Sequence, residues 1–233
     1  MALILSLDST TSVCSAAIHE DGKFLDTEFI TEPRAASAQL MIAAQNLLER
    51  NGLKTSNLSA IAISSGPGSY TGLRISTSAA KGLCYALDVP LIAVNSLLVL
   101  SHAVIQETKA NFYCPMLDAR RMEVYCALLD EEMNFRQEVN ALVLTSESFS
   151  EELNQFKIAF FGDGAEKFKA ITNHSNAIFV EGVQPEAKHL GYLAHNKFLK
   201  KDFESLENFE PFYLKDFLIK KPKSSAPLES GQG

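Results

Sequence analysis

The sequence lacks any apolar run long enough to form a membrane helix, which needs about 20 predominantly apolar residues. It also begins directly with a strand-like segment, residues 3–7, without the basic region and cleavage site of a secretory signal. Hydrophobic residues make up 46% and charged residues 21% of its 233 positions, as in ordinary globular proteins. We therefore expect a cytoplasmic protein that does not contact membranes.

Cysteine is scarce, and its spacing contains no CxxC motif. The four cysteines lie within apolar stretches; they are Cys14, Cys84, Cys114 and Cys126. We expect buried free thiols that pack as small hydrophobic residues in a reducing compartment.

Concentrated positive charge is missing as well. The chain carries 21 Lys and Arg against 28 Asp and Glu, a net charge of −7, and its basic clusters, such as those at 200–201 and 220–223, are short. A protein that holds nucleic acid by itself usually presents a basic face. The composition therefore argues against tight RNA binding by this chain alone.

Familiar catalytic motifs are absent too, since the sequence contains no GxSxG, HExxH or P-loop lysine motif. The five histidines form no pair three or four residues apart, the spacing that a helical metal site needs; they are His19, His102, His174, His189 and His195. We expect them to be hydrogen-bonded or exposed to solvent. The sequence thus predicts no catalytic residue and no metal ligand.

What the sequence does contain is an alternation of strand and helix patterns. Its first part follows the order β-β-β-α-β-α-β-α, with Asp21-Gly22 as the hairpin turn between the second and third strands. We predict strands at residues 3–7, 12–19, 23–30, 60–63 and 91–94, and helices at 38–50, at 73–87 and from 97.

The second part repeats this order in architecture, not in residues. We predict strands at residues 112–117, 123–129, 135–144, 158–161 and 178–180, and helices at 149–154, after 164 and at 186–200. Two such halves in tandem are typical of the α/β actin-like ATPase fold, which consists of two ribonuclease H-like halves. We place these halves at 1–106 and 107–220, and expect the Pro-, Ser- and Gly-rich end at 221–233 to form a flexible tail.

The segment SSGPGSYTGLRIS, residues 64–76, joins a predicted strand to a predicted helix through three glycines and a proline. Ser69 or Thr71 is placed to cap that helix. Such a bend suits a phosphate, because free N–H groups and the helix dipole point at the anion. Alternatively, glycine is needed there for close packing against another surface.

Actin-like folds hold a nucleotide between their halves, and two segments here have corresponding positions. Asp8, Ser9 and Thr10 follow the first strand, and Gly162 and Gly164 follow the fourth strand of the second half. They are the candidate contacts of a weak or vestigial ATP or ADP site. The alternative is that Asp8 and the hydroxyls only bond the amides of their own turn.

The segment Asp118-Ala119-Arg120 lies where the fold has its second phosphate turn. Actin-like folds have Asp-x-Gly there, and a long arginine in place of the glycine would crowd a phosphate. We therefore expect that no cofactor is required.

The helix after the glycine bend has small residues on nearly every side, and Gly82 within it costs about 0.5–1 kcal/mol relative to alanine. Small residues let two backbones approach closely, so either a sheet of the same domain or a partner helix is expected to pack against it. The preceding helix has a broad apolar arc that can serve both the core and an interface. The candidate interface residues are Leu40, Ala44, Leu47, Arg74, Ser78, Ala79, Gly82 and Ala86.

Several segments together resemble the TsaB (YeaZ) family, which is part of the glycoprotease-like M22 group; they are LDSTT, SSGPGSYTGLRISTSAAKGL, VPLIAVNSL, MLDARRMEVYCALLD and PFYLKD. The resemblance covers nearly all of residues 1–218, and GPGSYTGLR is its most specific part. It implies the tandem actin-like fold and a dimerisation role for the first half. It also implies a non-catalytic partner of TsaD in the synthesis of N6-threonylcarbamoyladenosine (t6A) in tRNA.

The resemblance further implies TsaD as the main partner, the ATPase TsaE as a third component, a homodimer when TsaD is absent, and contact with tRNA only through the complex. TsaD carries an HxxxH pair that binds its metal, and the matching positions here are Ser96 and Leu100. The family often has R-x-H-S before its first helix, where this chain has Arg34-Ala35-Ala36-Ser37.

Two other functions remain open from the sequence. The first is an ATP-hydrolysing or kinase-like enzyme that uses the cleft between the halves. The second, a metalloprotease, is disfavoured by the missing histidine pair.

Overall fold

The computed structural model describes residues 1–31 and 36–215, and the side chains of α1 from residue 39 onward. The expected tail at 221–233 and the start of the 34–37 segment lie outside the described residues. No helix in the described ranges combines the length and apolarity needed to cross a bilayer.

The first sheet has five strands in the order β3-β2-β1-β4-β5. They are β1 (Leu3–Asp8), β2 (Cys14–Glu20), β3 (Lys23–Ile30), β4 (Ala60–Ser64) and β5 (Leu91–Val94). The first three are antiparallel, whereas β1, β4 and β5 are parallel. Asp21 and Gly22 both have positive φ, 48° and 76°, which confirms the predicted tight hairpin.

Three helices follow in the first half: α1 (Ala36–Arg50), α2 (Tyr70–Leu87) and α3 (Ser96–Ile105). The helices α1 and α2 cover one face of the first sheet, where their apolar residues join those of β1, β2 and β4 in one buried cluster. A short 3₁₀ helix, Thr55–Asn57, lies between α1 and β4.

The second sheet has the order β10-β9-β6-β7-β8, which is the strand order of the first sheet repeated. Its strands are β6 (Phe112–Asp118), β7 (Glu123–Leu129), β8 (Phe135–Val143), β9 (Ile158–Phe161) and β10 (Ala177–Val180), and its helices are α4 (Ser150–Leu153), α5 (Ala165–Lys169) and α6 (Ala187–Leu199). The tandem α/β actin-like fold predicted from the order of elements is confirmed.

Each half contributes one helix to the other half's sheet. Leu97, Leu100 and Val104 of α3 pack with residues of β6, β7 and β9. Leu190 and Ala194 of α6 pack with β1, β4 and β5 of the first sheet. The halves therefore interlock, and the predicted division at residue 106 stays a prediction.

The segment at 204–213, here called the C-terminal strap, returns to the first half. Its Glu204 N–H donates to the Leu91 carbonyl over 2.9 Å, and its Phe212 N–H donates to the Ser65 carbonyl over 2.7 Å. Between these anchors, Lys81 Nζ of α2 donates to the Phe209 carbonyl over 3.0 Å. The strap thus runs along the edge of β5 and the side of α2.

The prediction that the four cysteines are buried free thiols is confirmed, and their compartment stays a prediction. Burial raises the pKa of the Cys14 and Cys84 thiols to about 11, so these groups stay protonated and unreactive at neutral pH.

The expectation for the histidines is wrong in one respect. His19 is fully buried, and neither of its ring nitrogens has a well-formed hydrogen bond, although the Lys188 backbone approaches it. It faces Gly191 of α6, where an added Cβ would lie 2.1 Å from its Nδ1. Nearby, His102 and His189 bring their Nδ1 atoms within 3.1 Å. The packing of α6 on the first sheet creates this cluster, so local sequence spacing does not reveal it.

Candidate interaction surface

The glycine bend connects β4 to α2, and Ser69 caps the helix as predicted. The Ser69 side-chain oxygen accepts a hydrogen bond from the Gly72 N–H over 3.2 Å. Since this side chain satisfies one of the free N–H groups at the helix start, it takes one of the donors that an anion would use.

Close packing explains the glycines of the bend. A Cβ on Gly72 would lie 1.8 Å from the Ser9 carbonyl oxygen, and one on Gly68 would lie 2.7 Å from the Thr10 carbonyl oxygen. On the other side, a Cβ on Gly66 would lie 2.6 Å from the Phe212 carbonyl oxygen. The bend is therefore held between the turn after β1 and the C-terminal strap, which favours the packing alternative over phosphate binding.

The turn after β1 is closed to solvent. Asp8, Ser9 and Thr10 are all buried, and both carboxylate oxygens of Asp8 accept hydrogen bonds, one from the Ser64 hydroxyl and one from Thr10. Ser9 Oγ donates to the Gly72 carbonyl over 2.6 Å. Burial raises the pKa of Asp8, and these hydrogen bonds oppose the shift.

The backbone of the glycine bend therefore covers Asp8, Ser9 and Thr10. Their hydrogen bonds favour the alternative that they serve their own turn, and weak nucleotide binding stays a prediction.

Gly162 and Gly164 lie after β9, as predicted, where the chain passes close to β6 and β7. Gly162 has φ 97°, and its Cβ would lie 2.3 Å from the Met116 carbonyl oxygen. A Cβ on Gly164 would lie 2.8 Å from a methyl carbon of Val124. These contacts give the glycines a structural role, and their part in adenosine binding stays a prediction.

The turn between β6 and β7 shows how Arg120 replaces the expected glycine. Arg120 and Arg121 have φ of 72° and 51°, the left-handed region that favours glycine. The Asp118 carboxylate accepts from the Arg120 N–H over 2.5 Å and from Lys167 Nζ over 2.9 Å. Lys167 thus pairs with the carboxylate of this turn. Desolvation by itself would raise the pKa of Asp118, but the hydrogen bonds from Lys167 and Arg120 together lower it.

At the start of α3, Ser96 and Leu100 are both fully buried. Ser96 Oγ accepts from the Gly66 N–H over 3.0 Å, so it supports the glycine bend. Within the described part of the chain, no three His, Cys, Asp or Glu side chains come together as a possible metal site.

The outer face of α2 carries the predicted residues at four-residue intervals. Arg74, Ser78, Gly82 and Ala86 are exposed, and Ala79 beside them is half-buried. A Cβ on Gly82 would meet nothing within 4 Å, so this chain's own packing does not require the glycine. The face is flat and available to another backbone.

The three interface residues predicted on α1 lie in the core of the chain, and their part in an interface stays a prediction. Leu40, Ala44 and Leu47 are buried at 2% exposure or less in the cluster between α1 and the sheet. Their three- and four-residue spacing marks the stripe of the helix that faces the core.

Two exposed apolar residues were missed by the sequence reasoning. Ile42 of α1 is 55% exposed and Tyr85 of α2 is 84% exposed. The available signal was an apolar residue outside the core-facing stripe of an amphipathic helix.

A groove of about 610 Å³ lies between α1 and α2; it is lined by Leu40, Met41, Tyr70, Thr71, Arg74, Ile75, Ser78 and Ala79. Its lining combines apolar side chains with one arginine and offers no nucleophile–base pair. Together with the outer face of α2, it forms a surface suited to protein contact.

The chain matches known proteins over most of its length. The model of a family described as TsaD, tRNA N6-adenosine threonylcarbamoyltransferase, matches residues 31–223. The chain is 27% identical over 219 residues to a protein from Escherichia coli (strain K12) named tRNA threonylcarbamoyladenosine biosynthesis protein TsaB; the match covers 91% of this chain and 94% of the relative.

Solved structures agree with this match. A protein from Pseudomonas aeruginosa described as similar to peptidase YeaZ superposes with a TM-score of 0.82 at 27% identity, over 92% of this chain and 100% of that chain. An inorganic polyphosphate/ATP-glucomannokinase from Arthrobacter sp. strain KM has a TM-score of 0.50 at 10% identity, over 86% of this chain and 100% of that chain, which shows a shared fold alone.

Proposed function

Because the chain belongs to the tRNA N6-adenosine threonylcarbamoyltransferase (TsaD) family, and its full-length relative is named TsaB, we propose that it acts in tRNA threonylcarbamoyladenosine biosynthesis as a non-catalytic subunit. In this role it binds TsaD and supports the transfer of a threonylcarbamoyl group to adenosine. TsaE is the third component, and tRNA contacts this chain only indirectly.

The exposed face of α2 is the observation that carries the proposal. Gly82 weakens the helix, yet nothing in the described chain packs against it. A residue that lowers helix stability without a role in the chain's own packing has a physical reason if a second backbone approaches there. The neighbouring Ser78 and Ala86 keep the same path clear.

The chemistry of the cleft supports a non-catalytic role. The turn after β1 is closed by the glycine bend, and Ser96 and Leu100 stand where TsaD is expected to carry metal-binding histidines. A leucine has no donor atom for a metal, and a buried serine bonded to Gly66 is a poor replacement for imidazole. TsaD therefore supplies the catalytic centre in the proposed complex.

The same face is proposed to support self-association. In the absence of TsaD, the exposed Ile42 and Tyr85 and the flat surface of α2 are proposed to pair with a second copy of the chain. Since one surface serves both contacts, TsaD and the second copy compete for it.

A reconstituted modification assay tests the proposal. The chain is purified alone and with TsaD of the same organism, and transfer to unmodified tRNA is measured with the threonylcarbamoyl donor supplied. We expect no transfer by the chain alone, co-elution with TsaD, and higher transfer by the mixture than by TsaD alone. Transfer by the isolated chain, or failure to bind TsaD, would contradict the proposal.

A further inference from the structure

We propose that the α1–α2 groove receives an apolar side chain of the protein partner with a carboxylate beside it, and that the C-terminal strap is part of this docking surface. This inference rests on the proposed function, because it specifies how TsaD is held at the same two helices.

The groove offers an apolar floor and a charged rim. Leu40, Met41, Ile75 and Ala79 line it, and its volume of about 610 Å³ falls within the roughly 300–1,000 Å³ of typical ligand clefts. The hydrophobic effect favours burial of one large apolar side chain there. The floor thus selects for an apolar anchor residue.

The rim carries a cation, Arg74, that has no acidic partner among residues 1–31 and 36–215. The Arg74 guanidinium lies 5.5 Å from the centroid of the Tyr70 ring, and its Nη1 donates to the Tyr70 hydroxyl over 3.4 Å. No carboxylate of the described residues pairs with Arg74, whereas Arg50 pairs with Asp26 and Glu28, and Arg136 pairs with Asp130. Arginine presents a planar fork of donors that fits a carboxylate with two parallel bonds.

The negative net charge of the chain makes the preference for a carboxylate at Arg74 more specific. With a net charge of −7, the protein repels acidic surfaces in general. A carboxylate is favoured only where a local cation offsets that repulsion, and Arg74 supplies one at the edge of the groove. Like-charge repulsion elsewhere then helps to fix the register of the partner.

The strap holds the aromatic ring beneath this arginine. The Tyr213 ring lies 4.9 Å from the Tyr70 ring, centroid to centroid. Phe212, the preceding residue, is anchored by its N–H to the Ser65 carbonyl. Tyr213 therefore contacts Tyr70, and Tyr70 contacts Arg74, so these three side chains connect the end of the described chain to the rim of the groove.

Affinity for TsaD of the same organism, measured by calorimetry for the full chain, tests the proposal. We expect Arg74→Glu to weaken binding about 10-fold or more, since like charges at the contact replace an ion pair, and Arg74→Lys to retain part of the affinity. Lys157→Glu, which changes the net charge equally at an exposed position before β9, outside the groove lining and the strap, is the matched control and should change affinity less than about 2-fold.

Two further variants test the strap. Tyr213→Ala should weaken binding, and Tyr213→Phe, which keeps the ring, should restore it; thermal unfolding checks that both are folded. If the wild type binds TsaD and Arg74→Glu has unchanged affinity, the inference is overturned and the proposed function stands. An equal loss of affinity in Lys157→Glu would have the same meaning. Unchanged affinity in Tyr213→Ala would overturn the part assigned to the strap. Absence of wild-type binding would overturn both proposals.

Discussion

Replacing Gly82 by leucine should raise the stability of the isolated chain and weaken its association with TsaD. Glycine within a helix is less favourable than leucine by roughly 0.5–1 kcal/mol. Gly82 is exposed in α2, and a Cβ there would meet nothing within 4 Å, so leucine adds no clash within the chain. For a protein of this size the gain corresponds to a midpoint about 2–4 °C higher per kcal/mol.

The effect on binding has the opposite sign. A leucine side chain would stand on the flat face between Ser78 and Ala86, where the proposed partner backbone approaches. Overpacking of a well-fitted contact costs about 1–3 kcal/mol, which lowers affinity by about 5- to 150-fold. Thermal unfolding of the isolated chain and calorimetric titration with TsaD measure the two effects separately.

Asn196→Leu is the matched control, because it places the same side chain on an exposed position of α6. It should leave the affinity for TsaD unchanged. Wild-type affinity in the Gly82→Leu variant would refute the assignment of this face to the partner. A less stable Gly82→Leu variant would show instead that the glycine serves the chain's own fold.

Three other predictions follow from buried groups. Burial lowers the pKa of His19 from 6.5 to about 4. Between these pH values the unfolded chain binds more protons than the folded chain, so the free energy of unfolding falls as pH falls. This residue contributes up to about 3 kcal/mol to that loss. Urea unfolding at pH 7 and pH 4.5 should show a smaller loss for His19→Phe than for the wild type, and equal losses would contradict the assignment. Gly72→Ala should destabilise the chain by about 1–3 kcal/mol, because its Cβ would lie 1.8 Å from the Ser9 carbonyl oxygen, whereas Gly82→Ala should not; urea midpoints compare them. Calorimetric titration with Mg-ATP should give no saturable heat, because Asp8 is buried. Tight binding that Asp8→Asn abolishes would instead support the ATP-dependent enzyme.

The order of strands and helices was predictable because it depends on local pattern. Apolar runs bounded by turn residues located β5, β7 and β9 with the bounds that the structure shows. The Asp21-Gly22 hairpin and the Ser69 cap are also local, since each depends on the conformational preference or hydrogen bond of a few neighbouring residues. Repetition of the same order then indicated the tandem fold.

The candidate site was predictable in part. Spacing along α2 identified the outer face with Arg74, Ser78 and Gly82, because four-residue intervals define one side of a helix whatever it packs against. On α1, the same periodicity could not distinguish a core stripe from an interface. Leu40 and Leu47 proved to be core, and the exposed Ile42 lay outside the stripe.

The sequence by itself determined the elements, their order and the positions that must be glycine or small, because these follow from backbone sterics and from periodicities of a few residues. Only the tertiary structure decided that α6 crosses to the first sheet and buries His19, that the strap reaches the glycine bend, and that this bend covers Asp8. These contacts join residues up to about 180 positions apart, and their free energy depends on burial and close approach between elements, which no local pattern encodes.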